Sequence, residues 1–241
     1  MRYIGSKNRL SKELVPIIQS YIKEDTVGYI EPFVGGANII DKIQHPNRIG
    51  CDIHKELIEL LKYSQNNELP ATITEKEYNR VKNNKQIYKE WYVGLVGFCA
   101  TFCTRYFGGY ARAKKPDGTK EDVPKGRIEN LRRQSQKENF KNIKFYCCDF
   151  LKLPKEKIKK YVIYCDIPYK DTLQYKTNTF PYEEFYKWAK EMSKNNIVLI
   201  SEYNMPEEFE CIWEKKIITL IGLGVNENSN RTRIERLYKP K

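Results

Sequence analysis

Five short apolar runs that each close on an acid constrain this chain more than any other feature. Val27–Ile30 leads to Glu31, Ile49–Cys51 to Asp52, Ile143–Cys147 to Asp149, Tyr161–Cys165 to Asp166, and Ile197–Ile200 to Ser201-Glu202-Tyr203. Their β-branched and aromatic content and their length read as strands. Ser11 to Tyr21 carries Leu14, Ile17, Ile18 and Tyr21 on one helical face. Ala37 to Ile43 reads as a second helix after the loop Glu31-Pro32-Phe33-Val34-Gly35-Gly36, and Lys55 to Ser64 as a third. Successive strand–helix units predict a parallel, right-handed α/β sheet covered by helices. Ile217–Leu220 and Ile234–Tyr238 are expected to add a closing antiparallel pair.

From about Asn66 to Asn139 the pattern changes to charged, tyrosine-rich helical stretches, an apolar helix from Trp91 to Phe102, and the basic segment RYFGGYARAKKPDGTKEDVPKGR. Its Pro-Asp-Gly is a turn signal, so a hairpin or loop is expected there. This stretch reads as an insertion, which leaves 1–65 and 140–241 as the α/β body.

The 241 residues suffice for one core carrying an insertion, so no assembly is needed for folding and a monomer is expected. A net charge of +12, with 18 tyrosines and 10 phenylalanines among the cations, points to nucleic acid, since cations neutralise phosphates and aromatic faces stack on bases. Seven cysteines without a CxxC pair indicate neither a disulfide framework nor a zinc ribbon; they read as reduced, mostly buried thiols, with Cys99 and Cys103 on one helical face. His45 and His54 show no ligand spacing, so no metal is expected. The opening MRYIGSKNRL lacks an apolar signal core and no run is long enough to span a bilayer, which makes the cytoplasm the expected location and leaves out a membrane.

Ligands of open α/β sheets collect at the carboxyl ends of strands. Here those ends offer acids beside apolar or aromatic residues, whereas a phosphate site would offer amides and cations, and GxxxxGK[ST] is absent. Acids suit hydroxyls or positive charge, as in a nucleoside cofactor whose ribose donates to Asp52. The glycine loop followed by Asp52 after the next strand has the spacing of the ribose acid in nucleotide-binding folds. In Asp166-Ile167-Pro168-Tyr169 an acid and an exposed-looking aromatic are held by a proline, which reads as a site rather than a plain exit from the sheet.

Together these segments resemble a Dam-type N6-adenine DNA methyltransferase (D12 class, alpha group). Arg2-Tyr3-Ile4-Gly5-Ser6-Lys7 resembles its N-terminal cofactor motif, Glu31 to Gly36 its glycine loop, Cys51-Asp52-Ile53 its ribose acid, Cys148-Asp149-Phe150 its adenine-side contact, Asp166 to Tyr169 its DPPY motif, and Ser201 to Asn204 a further element. The resemblance implies a Rossmann-like α/β methyltransferase sheet with an inserted, mainly helical target-recognition domain. It implies S-adenosylmethionine as cofactor, without metal, lined by Tyr3, Lys7, Glu31, Phe33, Gly35, Asp52, Ile53, Asp149, Phe150 and Asp166. It implies double-stranded DNA as partner, read by Arg105, Tyr110, Arg112, Lys114 and Lys115, and leaves room for a cognate restriction endonuclease or for an orphan enzyme.

The implied chemistry is methylation of a flipped adenine by Asp166, Ile167, Pro168 and Tyr169. The adenine N6 lone pair is delocalised into the ring until acceptors hold its two N–H bonds. Asp166 supplies one acceptor and the main-chain carbonyl of Ile167 the other. Isoleucine replaces the family's first proline but keeps that carbonyl, and Pro168 restricts Ile167 to extended backbone. Tyr169 would stack on the base. Two other readings fit the residues: a methyltransferase acting on RNA or a protein amide, and a catalytically silent DNA-binding protein of the same fold.

Overall fold

A computed structural model describes residues 1, 3, 5–169, 180–219 and 231–241. Arg2, Ile4 and Leu220, which belong to the segments above, lie outside them. The chain is mixed α/β and divides into two units, one of residues 1–20 and 30–153, the other of residues 21–29 and 154–241.

In the first unit β2 (Arg48–Asp52) runs parallel to β5 (Ile143–Cys147), with Arg48 opposite Ile143 and Asp52 opposite Cys147. The division between the units falls within β1 (Gly28–Glu31), all four residues of which are buried. Helix α1 (Ser11–Ser20) buries Leu14 and Ile18 and tolerates Pro16 in its interior at the loss of one backbone hydrogen bond. Helix α2 (Lys55–Asn66) buries Leu57, Ile58, Leu60 and Leu61, the positions that its period predicts. Its Gln65 fastens it to the chain leading into β5 and to the first residue of that strand by donating to the carbonyls of Phe140, Lys141 and Ile143 at 3.1, 3.0 and 2.8 Å.

The expected helix over Ala37–Ile43 is not formed. Only a 3-10 turn at Ile40–Lys42 appears, and Ala37 has φ 54°, a left-handed value that stops a helix. The adjacent isoleucines 39, 40 and 43 are each buried, so they serve the core from a turn rather than from one helical face.

Residues 66–139 lie in this first unit and are mainly helical. Thr74 accepts the Glu77 amide at 3.2 Å and opens α3 (Glu75–Asn83) in the Thr-x-x-Glu pattern of a capping box. Asp122 accepts the Lys125 amide at 2.9 Å and opens α5 (Val123–Ser135), with Pro124 in its first turn, where no N–H is needed. Short α6 (Glu138–Lys141) follows. Helix α4 (Glu90–Cys99) packs on α2: Tyr63 and Trp91 stack with centroids 3.6 Å apart, and a Cβ on Gly94 would come 2.1 Å from the Glu56 carbonyl oxygen. The basic hairpin is present as β3 (Ala113–Lys114) and β4 (Lys120–Glu121), with Gly118 at φ 80° in its turn.

In the second unit β6 (Tyr161–Asp166) runs parallel to β7 (Ile197–Glu202), and β9 (Arg231–Pro240) runs antiparallel to both β7 and β8 (Phe209–Thr219). The closing antiparallel pair therefore forms and is longer than its apolar centre. Helix α7 (Tyr182–Ser193), unread in the sequence, buries Phe185, Trp188, Ala189 and Met192.

The thiols depart from expectation. Cys51, Cys99 and Cys165 are buried, but Cys103, Cys147 and Cys211 are exposed and Cys148 is intermediate. Cys99 ends α4 while Cys103 sits in a separate turn at φ 47°, so the two do not share a helical face. Among the described residues no helix is long and apolar enough to cross a membrane.

Candidate active site

In the first unit the carboxyl end of β2 is built around Asp52. Its Oδ2 accepts the Gly35 amide at 3.1 Å and its Oδ1 the His54 amide at 3.0 Å. The glycine loop is held to the same strand by the Val34 amide on the Cys51 carbonyl at 2.7 Å. Burial raises the Asp52 carboxyl above its ordinary value, while the His54 and Gly35 amides pull it back. A half-buried carboxylate whose burial the neighbouring backbone amides do not fully offset is suited to further hydroxyl donors.

Gly35 is required twice over. Its φ is 46°, and a Cβ there would lie 2.9 Å from the Tyr3 ring. Tyr3 in turn lies 5.7 Å from Phe98, centroid to centroid. Lys7 is buried and donates to the Gly5 carbonyl at 3.3 Å, and Glu31 is buried at the end of β1. Phe33 and Phe150 form a tilted pair at 5.4 Å. Ile53 is 72% exposed beside Asp52, an apolar side chain left at the strand end. Asp149 caps the turn Phe150–Lys152 by accepting the Leu151 amide at 3.0 Å, so its carboxylate has a structural task in setting Phe150.

Two first-unit residues escaped the sequence reading. His54 lacks metal-ligand spacing, yet its amide fixes Asp52 and its ring packs edge-on against Tyr106 and Phe98 at 4.5 and 5.0 Å. Burial lowers the His54 pKa against the raising influence of Glu56 and Asp52, which favours the neutral ring. Asn38 donates to Ser6 Oγ at 2.9 Å and so anchors the N-terminal motif beside the glycine loop. Burial pushes the thiols of Cys51 and Cys99 up to about 12, which keeps both protonated.

In the second unit Asp166 ends β6 opposite Ser201 of β7 and is half-buried. Tyr164 and Ser201 share a buried hydrogen bond of 2.7 Å two residues before it. Ile167 is 2% exposed. The Pro168 carbonyl accepts the Tyr182 hydroxyl at 2.8 Å, which ties the turn to the start of α7.

Tyr169 is not the exposed ring that the sequence suggests. It is 7% exposed, its hydroxyl donates to Glu235, and its ring meets Tyr203 edge-on at 4.5 Å. The reason is long-range: β9 brings Glu235 to the end of β7, and nothing local to residues 166–169 signals that partner.

The candidate DNA-reading residues separate into two kinds. Arg105, Lys114 and Lys115 are exposed. Arg112 is exposed but ion-paired with Glu75, and Tyr110 spends its hydroxyl on the Ile73 carbonyl at 2.8 Å. Tyr110 also bridges to Thr101, closing a loop whose Thr101 Oγ1 accepts the Gly108 amide at 2.9 Å. Tyr110 thus shapes the loop that carries Arg105.

Both units are α/β, with acids at the carboxyl ends of parallel strands, the arrangement of the class whose ligands bind at those ends. Residues 3–210 match the family described as D12 class N6 adenine-specific DNA methyltransferase, and the chain belongs to that family. It is accordingly a methyltransferase whose substrate is DNA and whose target base is adenine. A search of curated proteins returned no match.

Proposed function

We propose that this chain transfers a methyl group from S-adenosylmethionine to the N6 amino group of an adenine flipped out of double-stranded DNA at a specific site. The observation that carries this reading is the half-buried carboxylate of Asp166 at the end of a parallel strand, followed by a turn whose Pro168 carbonyl is anchored by Tyr182.

The donor set of the first unit fits the cofactor. Asp52 would accept from ribose hydroxyls, which would relieve the cost of its burial. Ile53 and the Phe33–Phe150 pair offer apolar cover for a base, and Tyr3, Lys7, Glu31, Gly35 and Asp149 complete the set that the family resemblance assigns. S-adenosylmethionine would supply an electrophilic methyl group on a positively charged sulfur.

In the second unit Asp166 and the Ile167 carbonyl would each accept one N–H of the adenine amine. That withdraws the nitrogen lone pair from the ring, and Asp166 stabilises the positive charge that grows on nitrogen during transfer. Stacking on the base by Tyr169 requires its buried ring to be uncovered as the base enters. Residues 66–139 would be the target-recognition region, with 1–65 and 140–241 catalytic, and Arg105, Lys114 and Lys115 would meet the duplex.

The test is methyl transfer from isotopically labelled S-adenosylmethionine to duplex DNA, RNA and peptide in parallel. N6-methyladenine in DNA alone is expected. Label in RNA or peptide would support the other acceptors, and cofactor binding without transfer would support the silent fold. With about four phosphate contacts, DNA affinity should fall about 100-fold between about 50 and 200 mM salt, measured by fluorescence anisotropy.

Ile167→Pro preserves the carbonyl, so its turnover should stay within about threefold of the parent. The buried isoleucine side chain is lost, so thermal unfolding should show a cost of about 1–3 kcal/mol. A folded but inactive variant would contradict the role given to the carbonyl.

A further inference from the structure

We infer that Glu235 is the positioning residue for Tyr169, a role that rests on the reading of Tyr169 as the base-stacking aromatic. Glu235 lies on β9, outside the residues that match the family. It is 2% exposed, which is unusual for a carboxylate and needs compensation by donors. The Tyr169 hydroxyl provides one such donor.

The geometry specifies the ring rather than merely filling space. A tyrosine ring has two ways to move, about χ1 and χ2. The hydrogen bond at the far end of the ring, together with edge-on contact to Tyr203 at 4.5 Å, restricts both. Tyr203 is itself held, since the Arg233 guanidinium lies 4.8 Å over its ring and the Tyr203 carbonyl accepts from Arg236. β9 therefore supplies Glu235 to the Tyr169 hydroxyl, Arg233 to the face of the Tyr203 ring and Arg236 to the Tyr203 main-chain carbonyl. Burial and the carboxylates of Asp166 and Glu235 push the Tyr169 phenol well above its ordinary value, so it stays protonated and remains a donor. The consequence for reaction is orientational: once its face is uncovered with the Glu235 hydrogen bond kept, a ring held in one plane orders the base against Asp166, and small errors in such placement lower turnover strongly.

The experiment compares Tyr169→Ala, Tyr169→Phe, Glu235→Ala, Glu235→Gln and the Tyr169→Phe/Glu235→Ala double variant. Turnover is measured on duplex DNA, base extrusion by the fluorescence of 2-aminopurine at the target position, and folding by retained S-adenosylmethionine binding. Tyr169→Ala should lose about 100-fold in kcat. Tyr169→Phe and Glu235→Ala should each lose about tenfold, with the double variant no worse than either, because both remove the same hydrogen bond. Glu235→Gln keeps an acceptor and should recover to within about threefold of the parent.

Full activity in Tyr169→Ala would overturn the stacking reading itself. An inactive Tyr169→Ala beside fully active Glu235→Ala and Tyr169→Phe would overturn the positioning role alone. Activity above the parent in Glu235→Ala would also overturn it, since the hydrogen bond would then be restraining the ring in an unproductive place. If Glu235→Ala does not fold, Tyr169→Phe and Glu235→Gln still decide the matter.

Discussion

Asp166→Ala should reduce methyl transfer by about a thousandfold or more while leaving the fold in place. The carboxylate is half-buried at the end of β6, and the adjacent strand residues Val162 to Cys165 form the buried core contacts. Removing it deletes no apolar contact of that core. What it removes is the acceptor that draws the adenine lone pair out of the ring and the charge that stabilises the nitrogen as it becomes cationic. Asp166→Asn should fall nearly as far, because an amide can accept from the amine but carries no charge. The measurement is single-turnover transfer with saturating S-adenosylmethionine, paired with a thermal melt. Turnover near the parental value in a folded Asp166→Ala protein would remove Asp166 from the reaction.

Gly94→Ala carries the largest expected effect on stability. The added Cβ would lie 2.1 Å from the Glu56 carbonyl oxygen, 2.9 Å from its carbonyl carbon and 3.2 Å from Leu60 Cβ. Two of these are backbone atoms of α2, so no side-chain rotation relieves the clash and the helices must separate. Separation would open the stacked Tyr63–Trp91 pair at the same interface. A loss of about 3 kcal/mol is expected, at the upper end for overpacking, which for a chain of this length lowers Tm by about 6–12 °C. An unchanged melt would mean that α4 does not approach α2 this closely.

The strands were legible because their evidence is local. β-branched and aromatic residues fix Ile143–Cys147 to the residue and Tyr161–Asp166 to within one, and the acid that ends each run is part of the same short signal. The caps at Thr74 and Asp122, unread in the sequence, are equally local signals. Errors arose where backbone or tertiary demands overrode pattern. Ala37 to Ile43 has helical-looking content, but the left-handed Ala37 and the core's demand for three isoleucines made it a turn. Cys103 has the spacing of a helical neighbour of Cys99 only if the helix continues, and it stops at Cys99.

At the candidate site, identity was easier to read than environment. Asp52 follows the glycine loop at the spacing of a ribose acid, and its Oδ2 accepts the Gly35 amide of that loop. Tyr169 looks exposed from its sequence neighbours because they give no hint of Glu235, which is 66 residues away. Arg112 and Tyr110 looked available for DNA, yet Glu75 and the Ile73 carbonyl engage them, contacts that arise from the placement of α3 and the chain before it. Long-range partners decide such roles, and composition does not encode them.

The most direct test of the central claim is to express the protein in a host without DNA methylation and to read modified bases along the genome, beside the same host expressing Asp166→Ala. Adenine carrying an N6 methyl group within one short recurring sequence, present with the parent and missing with Asp166→Ala, is the result this account requires. Genomic adenine without methylation despite soluble, cofactor-binding protein, or the same methylation from Asp166→Ala, would contradict it.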